Sequence, residues 1–201
     1  LVRGSTLLNN IEDLLAFFPG IAPAALAVAL CFAASVNDIT TPSVSLEGKS
    51  LWLLQSLPID PWQVLKAKLS VQLTLTGLPL LLGIVSVWIV LRPSLLTGLL
   101  TGVLVLLVMC LFTAFDLYIG LKNPNLQWTS EIVPIKQSMS VMVALLGGWA
   151  YGIVLGVGYL LLSGLLGAPL FLGLASLLTA GLALWVFRWL RTRGVQLFAR
   201  L

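Results

Sequence analysis

The sequence predicts an all-α, polytopic membrane protein with about five transmembrane helices and a cytoplasmic C-terminus. Three observations carry that prediction. Five long apolar runs fill most of the 201 residues: Leu14–Val36, Leu69–Leu91, Leu95–Phe115, Met139–Leu162 and Pro169–Phe187. Each is close to the ~20 residues a helix needs to cross ~30 Å of hydrocarbon. No Lys, Arg, Asp or Glu lies inside any run, and one at a span centre costs roughly 2.5–3.5 kcal/mol on insertion scales. The composition agrees: 59% hydrophobic and 9% charged residues, with a mean hydropathy of +1.08. A soluble domain carries about 25% charged residues.

The basic residues set the expected orientation. Lys49, Lys66 and Lys68 lie between the first and second runs, and Lys122 and Lys136 between the third and fourth. Arg188, Arg191, Arg193 and Arg200 follow the fifth. Only Arg3 and Arg92 fall on the other side. The positive-inside rule makes the richer side cytoplasmic. The chain is then one transmembrane domain, residues 1–201, with inner loops at 37–68 and 116–138. Its start lies outside, which leads us to expect an upstream span and to read the chain as the C-terminal part of a longer one. The net charge of +4 reflects topology and does not call for nucleic acid as a partner.

In chain order, Asn10 with Asp13 suggests a short capped helix, broken by Pro19-Gly20, with Phe17 and Phe18 at the headgroup boundary. The first run follows. Its connection to the second contains Glu47, Gly48, Lys49, Ser50, Gln55 and Ser56 beside Leu51, Trp52, Leu53, Leu54 and Leu57. That mixture suits a short helix along the membrane surface, stopped by Pro58. It either presents one face to a soluble partner or anchors the surface. Asp60-Pro61 with Gln63 marks a helix N-terminus, so one helix is expected from Pro61 to about Leu91, with Lys66 and Lys68 at the lipid surface.

Arg92-Pro93-Ser94 makes a tight outer turn. Asp116, at the inner end of the third run, reads as an interfacial carboxylate near Lys122. The fourth run carries Gly148, Gly152 and Gly156, four apart on one helix face, where another backbone can come close. That face is either a sliding contact or static packing. A second short outer connection is expected at Ser163–Ala168. Six of the seven tryptophans fall near span ends or in loops, where interfacial anchoring accounts for them. Trp149 lies deeper and is the one considered for a cavity wall. Cys31 and Cys110 read as small buried hydrophobes.

The chain lacks a phosphate-binding Gly-rich loop, a His-Glu-x-x-His motif and any histidine, so no catalytic residues, metal ligands or cofactor site are assigned. Ion-coupled transporters usually place ionisable groups in their spans, and here only Asp116 qualifies.

The stretch Ser45–Pro58, followed by a helix with Lys66-Ala67-Lys68, resembles the exporter permeases of the ABC-2 type. So does the second inner loop, Gly120–Trp128 with Glu131 and Val133–Gln137. The resemblance covers roughly Ser43–Gln137 by motif and the rest by span spacing. It implies a transmembrane permease subunit of an ATP-binding-cassette exporter, in a bacterial plasma membrane and not itself an enzyme. Its partners would be a separate ATPase subunit holding ATP and Mg, a second permease half or copy, and membrane lipid. Glu47, Gly48, Lys49, Trp52, Leu53, Leu57 and Pro58 would form the coupling segment. Asp116, Lys122, Pro124, Trp128 and Lys136 would belong to the second loop. The short connection at Ser163–Ala168 leaves no room for the outer re-entrant helices many such permeases carry. The alternatives are an intramembrane lipid-modifying enzyme, with only Asp116, Glu131, Glu47 and Lys49 as raw materials, and a scaffold without turnover.

Overall fold

The computed structural model describes residues 21–48, 50–56, 58–126, 128, 134 and 138–201. The Asn10–Phe18 segment lies outside them. In chain order the helices are α1 (Ile21–Val36), α2 (Thr40–Leu46), α3 (Leu51–Ser56), α4 (Pro61–Leu91), α5 (Leu95–Lys122), α6 (Met139–Leu166) and α7 (Ala168–Trp189). A π-helical turn (Leu190–Gly194) and α8 (Val195–Phe198) follow. No strand occurs among the described residues. Five stretches are long and apolar enough to cross a membrane: Leu26–Leu46, Pro61–Val90, Leu95–Lys122, Met139–Leu162 and Ala168–Phe198. The protein is an all-α polytopic membrane protein.

Local chemistry accounts for several helix ends. Asp60 caps α4, its Oδ1 accepting from Trp62 N at 3.1 Å, with Pro61 in the first helical turn. The helix stops at Arg92, whose left-handed backbone (φ 42°) lets its N–H donate to the Trp88 carbonyl at 3.2 Å. Pro93 cannot continue the helix. Ser94 then caps α5, its Oγ accepting from Thr97 N. The second outer connection shrinks to one residue. α6 runs on to Leu166 and α7 starts at Ala168. Gly167 turns the chain with φ 74°, a conformation that costs glycine little.

Helix α5 is the centre of the bundle and packs against α1, α2, α4, α6 and α7. Of its most apolar window 44% is buried, against 17% for α4. The outer faces of α4, α6 and α7 display Leu82, Ile89, Val154, Leu161, Leu177 and Leu178, a surface suited to lipid and not to water. Tyr118 on α5 meets Trp189 at 4.6 Å between ring centroids, and Gly194 lies against Leu121. The C-terminal segment thus joins the end of α5. At that same end of the bundle lie Lys66, Lys68, Lys122, Arg188, Arg191, Arg193 and Arg200, whereas Arg92 marks the opposite end.

Two expectations about span limits are corrected. The first span does not stop at Val36: among the described residues a stretch long and apolar enough to cross a membrane runs from Leu26 to Leu46, while residues 14–20 lie outside those described. The polar pair Asn37-Asp38 interrupts the helix without ending the segment, because Gln72, Thr76 and Thr41 give Asn37 and the Asp38 Oδ1 partners inside the bundle. Helix α5 continues past Phe115 to Lys122, so the second connection starts at Asn123. Asp116 is internal to the helix.

Candidate functional site

Two features distinguish the basic end: an interlocked pair of connections and a buried polar cluster beneath it. The chain from α2 to α3 and the chain after α5 are separated by about eighty residues of sequence yet form one unit. The Ser45 hydroxyl accepts from Asn125 N at 3.0 Å, and the Ser45 carbonyl accepts from Trp128 Nε1 at 2.7 Å. Ser140 Oγ, at the start of α6, donates to the Asn123 carbonyl at 2.6 Å. Gly48 is needed there: a Cβ would sit 2.8 Å from the Leu126 carbonyl oxygen. Glu47 is tied to α4 by an ion pair with Lys68 at 2.6 Å, and Lys68 also donates to the Ser43 carbonyl at 3.0 Å.

The candidate coupling segment is shorter than expected. Among the described residues of Glu47–Pro58 the helix covers Leu51–Ser56, and ahead of it Ser50 N donates to the Glu47 carbonyl at 2.7 Å. A second helix, Thr40–Leu46, precedes it. Leu51 is buried, while Leu53, Pro58 and Ile59 face outward. Beside them runs an open groove of about 420 Å³ lined by Glu47, Ile59, Gln63, Val64, Ala67 and Val71, among others. Trp52 lies within the helix. Lys49, Leu57 and Lys136 lie outside the described residues. Lys66 is exposed as expected, but Lys68 is corrected: its side chain is only 10% exposed, turned inward to meet Glu47. Lys122 is exposed and approaches the Tyr118 hydroxyl at 3.4 Å. Pro124 is half-buried.

Asp116 carries the largest correction. It is fully buried and is not the interfacial neighbour of Lys122. Its Oδ2 accepts from Gln72 Nε2 at 2.7 Å. Gln72 is the hub. Its Nε2 also donates to the Asn37 carbonyl at 2.8 Å, and its Oε1 accepts from Thr40 N at 2.8 Å and from the Thr40 hydroxyl. Asn37 Nδ2 donates to Thr76 Oγ1 at 2.8 Å. Asp38 Oδ1 accepts from Thr41 N at 3.1 Å, and Thr41 Oγ1 donates to the Asp116 carbonyl at 3.0 Å. Gln72 of α4 thus satisfies the Asn37 carbonyl at the break and the Thr40 N–H at the start of α2. That is the condition under which irregular backbone is tolerated at membrane depth. Gly120 keeps the assembly tight, since a Cβ there would meet the Thr41 carbonyl oxygen at 2.5 Å. Sequence reasoning missed Asn37, Asp38, Thr40, Thr41, Gln72 and Thr76. The available signal was the spacing Lys68, Gln72, Thr76, one polar residue every fourth position on a single face of an apolar helix.

The glycine face of α6 is a contact with α1. A Cβ at Gly148, Gly152 or Gly156 would point to Ser35, Phe32 or Val28 respectively, and Ser35 Oγ donates to the Gly148 carbonyl at 3.2 Å. Trp149 is half exposed beside Phe32, with 6.0 Å between ring centroids. Trp88, not Trp149, lines the apolar cavity of about 190 Å³ near the other end, together with Leu30, Thr97, Tyr159 and Leu172.

No protein-family model, characterised protein or solved structure matches this chain.

Proposed function

We propose that the chain is the transmembrane permease subunit of an ATP-binding-cassette exporter, with ATP hydrolysed by a separate subunit in a bacterial plasma membrane. The observation that supports this reading best is the interlocked unit at the basic end. A force applied to α3 would pass through the buried Leu51 and the Glu47–Lys68 pair to α4, and through Ser45 to the segment after α5. Outward-facing Leu53 and Ile59, next to an open groove, suit a partner that inserts apolar anchors. Nucleotide-driven movement would then shift the bundle between two packings.

Replacing Trp52 and Leu53 by Ala should leave the protein in the membrane and lower transport per ATP by roughly tenfold or more, the scale of losing interface anchors. A cysteine in place of exposed Ser50 should cross-link to the ATPase subunit of the full complex. Coupling retained in the double variant, with position 50 protected by lipid, would sink the assignment and leave a surface anchor.

The orientation follows from the basic end. A reporter fused after Leu201 should report a cytoplasmic location. Activity only outside the cell would invert the topology and remove α3 from the reach of any ATPase.

A further inference from the structure

The break between α1 and α2 has properties that the permease reading does not use. Asp116 is fully buried and its side chain enters the polar cluster through Oδ2; its Oδ1 has no hydrogen-bond partner among the described residues. Thr113, three residues earlier on α5 and 1% exposed, has an unpartnered Oγ1, and so does Asp38 at Oδ2. The one ion pair among the described residues consumes Lys68 on Glu47. A carboxylate taken into apolar surroundings without a counter-charge costs several kcal/mol, so the site calls for a positive charge. Broken membrane helices, with exposed carbonyls at the break, are a recurrent way of holding small cations.

We infer that the α1–α2 break, closed by Gln72 and Asp116, binds one monovalent cation, Na⁺ or a proton, seated on Asp116. The free atoms are all oxygens, which suits a hard cation and not a soft metal. No group of three or more His, Cys, Asp or Glu side chains able to hold a metal ion exists among the described residues, which argues against a divalent ion. Asp38 is half-buried, less enclosed than Asp116. On the elements around the break, the α1–α2 segment carries Cys31 and Asp38, α4 carries Lys68, α6 carries Tyr151, and α7 carries Arg188 at its end, while Tyr159 of α6 lies by the cavity near the other end. Of these, Lys68 is paired with Glu47, and Tyr151 shares a hydrogen bond with Thr179 at 2.6 Å. Asp38 is joined by way of Thr41 to the main-chain carbonyl of Asp116.

The test is thermal unfolding of the chain in detergent, with NaCl exchanged for choline chloride at constant ionic strength, and separately across pH at fixed Na⁺. If the cation is Na⁺, the melting temperature rises by about 3 °C per tenfold increase in Na⁺ above the midpoint. If it is a proton, Na⁺ has no effect. The melting temperature then responds to pH at fixed Na⁺ instead. In either case Asp116→Asn flattens the dependence. A melting temperature indifferent to both ions, or an Asp116→Asn protein with the wild-type slope, overturns the inference. Should Asp116→Asn fail to fold, wild-type protein decides. Stoichiometric ²²Na⁺ binding, or an infrared band of a protonated carboxyl group at neutral pH, supports the site, and the absence of both removes it.

Discussion

Gly148→Ala should unfold well below the wild-type protein, whereas Gly156→Ala should match or exceed it. The reason is what each new methyl group meets. At Gly148 the Cβ lies 2.5 Å from the Ser35 carbonyl oxygen and 3.0 Å from its carbon. Those are backbone atoms of α1, so the helix itself must move and the Ser35 bond to Gly148 must stretch. At Gly152 the obstacle is Phe32 Cδ2 at 2.9 Å, the end of a ring that is 38% exposed and can swing away. At Gly156 the Val28 methyl stands at 3.5 Å, an ordinary contact. Overpacking typically costs about 1–3 kcal/mol, while Ala gains roughly 0.5–1 kcal/mol over Gly in a helix interior. The net is a loss of about 2 kcal/mol at Gly148, a small change at Gly152 and a neutral or stabilising one at Gly156. Gly152→Leu, too large for the ring to accommodate, should fall with Gly148→Ala. Unfolding midpoints in detergent check the order. Equal midpoints for the three alanine variants would mean that α1 and α6 do not approach as described.

Gln72→Leu should be the most damaging single polar substitution in the bundle. Leucine preserves bulk and suits an apolar helix, so composition alone predicts a gain. In the structure it leaves the Thr40 N–H and the Asn37 carbonyl without partners and strips Asp116 of its one side-chain bond. Removing one partner of a buried polar group costs about 1–3 kcal/mol per stranded group, more when the group is charged. We expect a loss of about 3–5 kcal/mol and faster amide exchange across α2. Thr76→Val is the comparison. It removes only the bond to Asn37 Nδ2, for which roughly 0.6 kcal/mol is typical in membranes. A Gln72→Leu protein as stable as Thr76→Val would show that the hub carries no special weight.

Much of the fold was legible because membrane insertion is decided locally. A run such as Leu95–Phe115 is apolar whatever surrounds it, and Asp60-Pro61 starts a helix with atoms only two residues apart. The turn at Arg92-Pro93-Ser94 was equally local. The limits failed where a residue's fate depended on a distant helix. Asn37-Asp38 looked like the end of a span because free polar groups do not enter lipid. Gln72, 35 residues from Asn37, gives its carbonyl a partner. Asp116 looked interfacial because Lys122 is near in sequence. α5 instead turns it inward to a glutamine 44 residues away.

What the sequence by itself determined is therefore the class of the protein, the five apolar helices and the sharp turns between them. Each rests on the composition or the caps of one contiguous segment. Tertiary structure alone decided which polar groups meet. The rotation of α4 brings Lys68, Gln72 and Thr76 to face Glu47, Thr40 and Asn37. The approach permitted by Gly48 and Gly120 locks two distant connections onto the core. A helix's length and hydrophobicity are properties of its own residues. Its rotation and its partners come from packing against all the others, and in this bundle that packing converts scattered polar residues into one site.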